Sequence, residues 1–239
     1  MDTILEKMMQ SSYNAIAVKT VEPEPLVLAL LQRIDKKTIH RKLIFLGLEA
    51  RKYNQLFRKH TIKAVHHLQF DDLITKEVTK LKPVTISVAV DAQTRKIFSL
   101  QAAQIPAFGH LAQLSKKKYG QRRSKHKVGL EKVFRDLKNC VHPSALIRSD
   151  KHHFYSEYVN YFFPKADYET YKSEKATVAG QGELKRKKND PIYCINHTHA
   201  MLRDNINRLV RKSWCVSQSI DYLQLHLEIY MKFHNENLV

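Results

Sequence analysis

The stretch VTISVAV at residues 84–90 is the clearest structural signal in the sequence. Its apolar side chains alternate strictly, which predicts a strand with one buried face formed by Val84, Ile86, Val88 and Val90. A turn, DAQT at residues 91–94, leads into a second strand predicted over residues 96–105. Upstream, VHHLQFDD at residues 65–72 is a strand-like run that ends in acids. We therefore predict an antiparallel meander of three strands.

Downstream of the meander, helical and strand patterns alternate. The predicted elements are a helix at 130–141, a strand at 145–150, a helix at 155–163 ended by Pro164, a strand at 168–171, a long amphipathic helix at 192–209 and a last helix at 218–234. The resulting order, βββαβαβα, is that of the RNase H-like fold, an α/β architecture in which helices cover both faces of a mixed sheet. In that fold the first and fourth strands are neighbours.

The first 62 residues are interpreted as a separate, helical region. An apolar run at residues 26–31 predicts one short helix, and a polar break precedes a second helix that Asp35 can cap. The second helix has an apolar stripe made of Ile39, Leu43 and Leu46. This layout is typical of a helix-turn-helix, with DNA-facing residues at the start of the second helix: Lys36, Lys37, His40 and Arg41. We expect residues 1–62 to bind DNA and residues 63–239 to form the catalytic domain.

The charge of the chain favours a polyanionic partner. There are 41 Lys and Arg residues against 23 Asp and Glu residues, a formal net charge of +18, and such a surplus favours nucleic acid through counterion release. Two basic runs stand out, KKKYGQRRSKHK at 116–127 and KRKK at 185–188, both interpreted as loops. A solvated surface is the alternative for each run. The residues expected to contact phosphates are Lys116, Lys117, Lys118, Arg122 and Arg123.

Other classes of protein are disfavoured by composition. The longest apolar run, residues 26–31, is far shorter than the roughly 20 residues that span a bilayer. The N-terminus lacks the apolar core of a signal peptide. The three cysteines, Cys140, Cys194 and Cys215, are widely spaced without a CxxC pair, which favours a reducing compartment. We expect a cytoplasmic protein.

Two acids end the strands that the fold would place side by side. Asp71 lies near the end of the first predicted strand, and Asp150 ends the fourth. Phosphodiester chemistry is commonly run by two divalent ions held by carboxylates, and Mg²⁺ (or Mn²⁺) prefers such oxygen ligands. Taken singly, Asp71 suits a solvent-facing strand end and Asp150 suits a helix N-cap. Taken together with the strand order, they predict a metal site.

Several segments, in the same order along the chain, resemble small bacterial insertion-sequence transposases of the DDE superfamily. The run NRLVRKSWCVSQS at residues 207–219 resembles their RLxRKTxCxS motif. Phe70-Asp71-Asp72 is similar to their first-strand VDE, and Ile147-Arg148-Ser149-Asp150 followed by Tyr155 is similar to their TDxxxxY element. The run TIHRKL at 38–43 resembles their recognition helix. The resemblance covers residues 25–235.

The resemblance implies a transposase that binds the ends of its element, cleaves DNA and joins the 3′-hydroxyls to target DNA. Asp71 and Asp150 would be metal ligands, Mg²⁺ or Mn²⁺ the cofactor, and double-stranded DNA the partner. The protein would act as a homodimer or higher oligomer on DNA, in the bacterial cytoplasm at the nucleoid.

The chain departs from the family at the third ligand. These transposases carry an acid in a helix, in a pattern resembling IERxNxxLR, and alignment on Leu202 and Arg203 places Asn196 there. Some members of the wider group use Asn at this place with Lys or Arg seven residues on. Arg203 stands at that offset and is predicted to contact DNA. Glu183, 33 positions after Asp150, is the rival ligand. Both remain open. The zinc ribbon that many relatives have at the N-terminus is also not visible.

Two other functions and one other metal site are compatible with the sequence. One function is an RNase H-like nuclease without strand transfer, and the other is a catalytically inactive DNA-binding protein derived from a decayed element. Four histidines, His152, His153, His197 and His199, are candidate ligands of zinc, which prefers nitrogen and sulfur ligands. His199 lies on the apolar stripe of its predicted helix, which favours a core histidine instead.

Overall fold

The computed structural model describes residues 35–172, 190–209 and 216–239. Within these ranges the chain forms six α-helices and five strands. They are α1 (Lys36–His60), β1 (Val65–Glu77), β2 (Thr79–Asp91), β3 (Ile97–Gln104), α2 (Leu111–Tyr119), α3 (His126–Leu137), β4 (Val141–Asp150), α4 (Tyr155–Phe162), β5 (Asp167–Tyr171), α5 (Tyr193–Asn205), a 3₁₀ turn (Asn207–Leu209) and α6 (Ile220–Asn237).

The five strands form one mixed sheet in the order β3-β2-β1-β4-β5. β2 is antiparallel to both of its neighbours, whereas β1, β4 and β5 are parallel to one another. The predicted meander is therefore present, and β4 lies beside β1 as expected. The chain is an α/β protein, with helices packed on both faces of the sheet.

Two apolar cores fill the two sides of the sheet. On one side, α3 and α4 cover a cluster that includes Phe70, Phe134 and Tyr155. On the other side, α5 and α6 cover a cluster that includes Ile86 and Leu202. The strictly alternating stretch in β2 supplies Val84, Ile86, Val88 and Val90 to this second cluster. Its central position explains why nearly every residue of β2 is buried.

Helix α6 covers the exposed edge of the sheet. The side chain of Gln224 accepts a hydrogen bond from Ala102 N and donates to Leu100 O, and Asn235 does the same at both backbone groups of Ile97. These amides satisfy the outward-facing groups of β3, which would otherwise form an open edge. On its other side, α6 packs against α1 so closely that a Cβ at Gly47 would lie 2.6 Å from Leu225.

A helix begins where the second helix of the predicted helix-turn-helix was expected to begin, and it continues as α1 to His60. Leu43 and Leu46 are buried against α6, as the stripe predicted, and Ile39 is half-buried. Asp35 precedes the helix, but its side chain makes no cap hydrogen bond, and its backbone carbonyl accepts instead from Thr38 and Ile39. The predicted first helix at 26–31 lies outside the described residues, so the motif and the boundary at residue 62 stay predictions.

Several boundaries differ from those predicted. β1 does not end at its acids but continues to Glu77 and returns through Val78, whose φ is 62°, into β2. Val141 opens β4 and is not part of the preceding helix, which ends at Leu137. The predicted helix at 192–209 divides into α5 and the 3₁₀ turn.

Helix α2 has no counterpart among the predicted elements. It takes in the first four residues of the basic run at 116–127, and α3 takes in the last two, so only the middle of that run is a loop. None of the described helices is long and apolar enough to cross a membrane.

Candidate active site

Asp71 and Asp150 lie on adjacent strands and on the same face of the sheet. The parallel register of β1 and β4 pairs Phe70 with Ser149, so the next residue on each strand is one of the two acids. Phe70 belongs to the α3 and α4 side, and Ser149 Oγ lies 2.7 Å from the hydroxyl of Tyr168, which packs on that side as well. Because side chains alternate along a strand, both acids face α5. Neighbouring strands are about 4.8 Å apart, which is short enough for two carboxylates to share a cation.

Helix α5 places a histidine over Asp71. His199 is buried, and its Nδ1 lies 3.9 Å from Asp71 Oδ2. Burial, with a smaller contribution from the nearby charge of Arg203, lowers the pKa of His199 to about 3, so the imidazole is neutral at physiological pH. Its Nε2 is buried and has no hydrogen-bond partner among the described residues. The interpretation of His199 as a buried histidine is confirmed, but its ring also faces the candidate site.

Gln69 holds α5 against β1, a role that was not predicted from the sequence. The residue is buried on the same face as Asp71, two positions earlier. Its Nε2 donates to Pro191 O at 3.0 Å, and its Oε1 accepts from Ile195 N at 3.1 Å. Both contacts fix the start of the helix that carries His199. A polar residue inside a buried strand was the available signal.

Asn196 is engaged with an acid outside the predicted pair. Its Nδ2 donates to Asp190 Oδ2 at 2.6 Å, just before α5 begins. Asn196 and His199 are three positions apart and share one face of α5, and it is His199 that lies beside Asp71 Oδ2. Glu183 lies outside the described residues. The identity of the third ligand therefore stays a prediction.

The described residues contain no group of three or more His, Cys, Asp or Glu side chains that could hold a metal ion. His152 and His153 stack on each other at 4.5 Å between ring centroids, whereas His197 contacts Arg95. The four histidines of the candidate zinc site are therefore not gathered in one place.

Asp72 lies on the opposite face of the sheet, inside a closed hydrogen-bond network. Ser87 Oγ donates to its Oδ1 at 2.5 Å, while the Tyr155 hydroxyl and His126 Nε2 both contact its Oδ2. Burial raises the pKa of Asp72, but the hydrogen bond and charge of His126, together with the bonds from Ser87 and Tyr155, outweigh it, so the pKa is lowered. Burial and the three nearby acids raise the pKa of Tyr155 well above its ordinary value.

This network is linked to the candidate site through the backbone. Asp72 N donates to Asp71 Oδ1 at 2.7 Å, so the strand itself orients the first acid of the pair. Tyr155, which the resemblance places in the TDxxxxY element, anchors that strand from the side of α4.

The predicted phosphate-binding residues fall into two groups. Lys116, Lys117 and Lys118 form the last turn of α2 and are exposed, and Arg123 in the following loop is exposed too. Arg122 is not: its guanidinium forms a 2.7 Å ion pair with Glu77, and both side chains are 15% exposed. Arg122 therefore belongs to an internal contact that ties this loop to the end of β1. The second basic run, 185–188, lies outside the described residues.

The predicted DNA-facing residues of α1 differ in the same way. Lys37 and Arg41 are exposed, and Lys36 is the first residue of the helix. His40 packs its ring against Tyr222 of α6, with the ring centroids 4.6 Å apart. Its half-buried position does not favour a role in DNA contact.

Arg203, the remaining predicted cation, lies one turn beyond His199 on α5. Its guanidinium donates to the carbonyls of Ile74 and Leu209 at 3.3 and 3.4 Å. It therefore joins the end of α5 to the extension of β1 beyond Asp71.

A comparison of the sequence with protein-family models gave no match, and a comparison with curated proteins gave none either. The geometry of the described residues is thus the basis of the functional proposal.

Proposed function

We propose that this chain is a DNA transposase that cleaves and joins phosphodiester bonds at Asp71 and Asp150. One observation supports the proposal above all: Asp71 and Asp150, 79 positions apart in the sequence, directly follow the paired residues Phe70 and Ser149 on adjacent parallel strands, which places them on the same face of the sheet. A purely structural acid at a strand end has no need of a second acid beside it. Two carboxylates on one face of a sheet repel when both are ionised, and a shared divalent cation relieves that repulsion.

The sheet favours an RNase H-like catalytic domain. Its order is β3-β2-β1-β4-β5, with β2 antiparallel to the other four strands, and helices cover both faces. The acids lie where β4 ends and β1 continues without it.

The two carboxylates are suitable ligands for Mg²⁺ or Mn²⁺, because hard divalent ions take oxygen ligands and keep several waters. Asp71 and Asp150 would hold the metal, and the bound metal would supply Lewis-acid stabilisation of charge on the phosphate oxygens. The partnerless Nε2 of His199 is a third polar atom on the adjoining face of α5. The donor set of the described residues is therefore compatible with a cation and adds no third negative charge.

The residues around the pair hold it in place. The backbone N–H of Asp72 orients the Asp71 carboxylate, and the closed network of Asp72 on the other face holds that part of β1 still. Gln69 fixes α5 over the strand, and the neutral imidazole of His199 lies beside Asp71 without neutralising it. Such preorganisation limits the movement of the ligands during reaction.

Double-stranded DNA is the proposed partner, and the surface charge supports this choice. The net charge is +18, and the exposed lysines at the end of α2 form a cluster of one sign. A homodimer or higher oligomer on DNA, in the bacterial cytoplasm at the nucleoid, belongs to the same proposal.

The proposal is tested by incubating the full chain with supercoiled plasmid and Mg²⁺ or Mn²⁺. Nicking that needs the metal and is lost in Asp150→Asn supports a phosphoryl-transfer enzyme. Joining of oligonucleotides that carry the element ends to a target plasmid then separates a transposase from a nuclease that only cleaves. A chain that never nicks DNA at any concentration of either metal contradicts the enzymatic proposal.

A DNA-binding protein without catalysis is the second candidate. One observation favours it: the group that the described part of α5 presents to Asp71 is a neutral histidine, where relatives by resemblance carry an acid. In that case the chain would bind duplex DNA with a strong dependence on salt but would not nick it.

A further inference from the structure

A groove lies along β1 beyond Asp71, where this strand has passed the end of β4. Its volume is about 230 Å³. Its walls come from β1, the start of β2, the segment before α2, and the end of α5 with its 3₁₀ turn. Thr75 of the wall, which is on the same face of β1 as Asp71, follows it by four residues, or roughly 13 Å along the strand. Arg203, also of the wall, lies one turn beyond His199 on α5.

The groove has an apolar interior with an aromatic ring at its side. Phe108 is 62% exposed and Ile74 is 47% exposed, although both are large apolar residues. Pro83, Leu111 and Leu209 complete this part of the wall. Burial of such side chains from water is favourable, so an exposed aromatic beside a cleft is a place where a flat apolar ligand gains free energy.

The rim of the groove is positively charged. Lys76, Lys80 and Arg203 line it, and none of its lining residues is acidic. Among the described residues, no ion pair is formed by either lysine. A ligand with both a flat apolar part and a negative charge fits this combination. Its volume is below the range of drug-sized pockets, about 300–1,000 Å³, which favours a small group such as one base.

We propose that this groove binds an unpaired nucleotide, with its base against Phe108 and Ile74 and its phosphate beside Lys76 and Lys80. Stacking of a base on an aromatic ring with cations along the backbone is the general chemistry of single-strand binding. The inference rests on the proposed function, since the strand in the groove would be the one held at Asp71 and Asp150. It adds that the protein engages this strand unpaired.

The test compares the affinities of the full chain for three labelled DNAs by fluorescence anisotropy, without divalent metal. They are a blunt duplex, the same duplex with a single-stranded tail of about four nucleotides, and the same tail made of abasic sites. We expect the tail to tighten binding about fivefold or more, a modest effect for a stacked base. We expect the abasic tail to lose most of this gain, because it keeps the phosphates but not the bases.

The variants Phe108→Ala, Phe108→Tyr and Tyr161→Ala complete the test. Phe108→Ala should abolish the preference for the tail, and Phe108→Tyr should keep it because the ring remains. Tyr161, 79% exposed on α4, is the matched control, and its replacement should leave the preference for the tail unchanged. No preference for the tail, an equal preference for the abasic tail, or a preference that survives in Phe108→Ala would each overturn the inference.

The outcome is separable from that of the proposed function. If the chain prefers the tail through Phe108 but never nicks DNA, the nucleotide-binding groove is supported and the proposed enzymatic function is contradicted. If the chain nicks DNA through Asp150 but has no preference for the tail, the enzymatic function is supported and the nucleotide-binding groove is contradicted.

Discussion

Asp71 and Asp72 are neighbours in the sequence but have contrasting surroundings. Asp72 faces α3 and α4, where Ser87, His126 and Tyr155 enclose its carboxylate. Asp71 faces α5, beside Asp150 on the next strand and a neutral histidine. The surroundings of Asp72 stabilise its negative charge within the protein. Asp71 has a second acid on the same face of the sheet, and a cation and a phosphate would bind on that face.

The role of an acid, structural or chemical, depends on the groups around its carboxylate. An ion pair closed by hydrogen bonds is a structural device, and removing one partner is costly because the others remain buried. Asp71 and Asp150 instead lie on one face of two adjacent strands, and the imidazole beside Asp71 is neutral. Asp72 is therefore assigned to stability, and Asp71 to the proposed chemistry.

The largest expected effect is a loss of nicking activity when either acid of the proposed metal site is replaced. Asp71→Asn or Asp150→Asn should lower metal-dependent nicking about 10³-fold, since a metal site contributes several kcal/mol to the transition state. Their unfolding midpoints in urea should change little. Nicking rates on supercoiled plasmid, measured beside those midpoints, check this prediction. Full activity in either variant would remove the acid pair from the mechanism.

For Asp72, on the opposite face of the sheet, we expect a loss of stability. Asp72→Ala should lower the free energy of unfolding by about 3 kcal/mol, because it leaves His126 and Tyr155 without their shared acceptor. Urea denaturation measures this, with Asp167→Ala as the control, since Asp167 is exposed on β5. A loss in Asp72→Ala no larger than in the control would mean that the network adds nothing to stability.

The sequence predicted the sheet well, because its strands carry their own signals. The alternation in β2 needs no knowledge of the rest of the fold, and β4 carries the short apolar run Ala145-Leu146-Ile147 and ends in an acid. Val141 shows the limit: it lies four positions after Leu137 and fits a helical stripe, but the chain turns at Asn139 and Cys140 and pairs Val141 with Val65. Local spacing cannot tell which partner a residue will find.

The site could be predicted only in part, for the same reason. Asp71 and Asp150 follow from the strand order. Gln69 forms hydrogen bonds with backbone groups 122 and 126 positions away, and no local sequence pattern predicts such distant partners. Helix α2 was missed because it is short and cationic, with Ser115 as its one buried residue among those described.

The cations of the basic run at 116–127 also differ in their surroundings, as Asp71 and Asp72 do. Lys116, Lys117 and Lys118 are exposed, whereas Arg122 is paired with Glu77. Replacing the three lysines by Gln should flatten the dependence of log affinity on log salt by roughly 0.9 for each phosphate that is no longer neutralised. Arg122→Gln should leave that slope nearly unchanged and instead lower stability by about 1 kcal/mol.

Duplex binding at several salt concentrations, together with urea denaturation, measures both effects. An unchanged slope in the triple variant would assign the end of α2 to solvated surface. A flattened slope in Arg122→Gln at unaltered stability would mean that the ion pair with Glu77 opens on DNA.

The smallest expected effect concerns what α5 presents to the acids. Asp71 and Asp150 bring two negative charges, and His199 adds none, so a divalent ion should be held weakly. His199→Asp places a third carboxylate beside Asp71 and should lower the Mg²⁺ concentration for half-maximal nicking by a few fold. Asn196→Asp carries the same charge one turn earlier, but it would meet Asp190, whose carboxylate accepts from Asn196 at 2.6 Å. Repulsion between these two acids should lower stability without a gain in Mg²⁺ affinity.

The variant Glu183→Ala tests whether Glu183, and not a residue of α5, supplies the third negative charge of the metal site. If Glu183 is the ligand, its loss should abolish nicking, and His199→Asp should bring no benefit because the site is already complete. If Asn196 is the ligand, Asn196→Asp should be the variant that lowers the Mg²⁺ requirement, and Asn196→Ala should lose activity. A lowered requirement in His199→Asp, with activity kept in both Glu183→Ala and Asn196→Ala, would identify the face of α5 at His199 as the place where this chain lacks the acid of its proposed relatives.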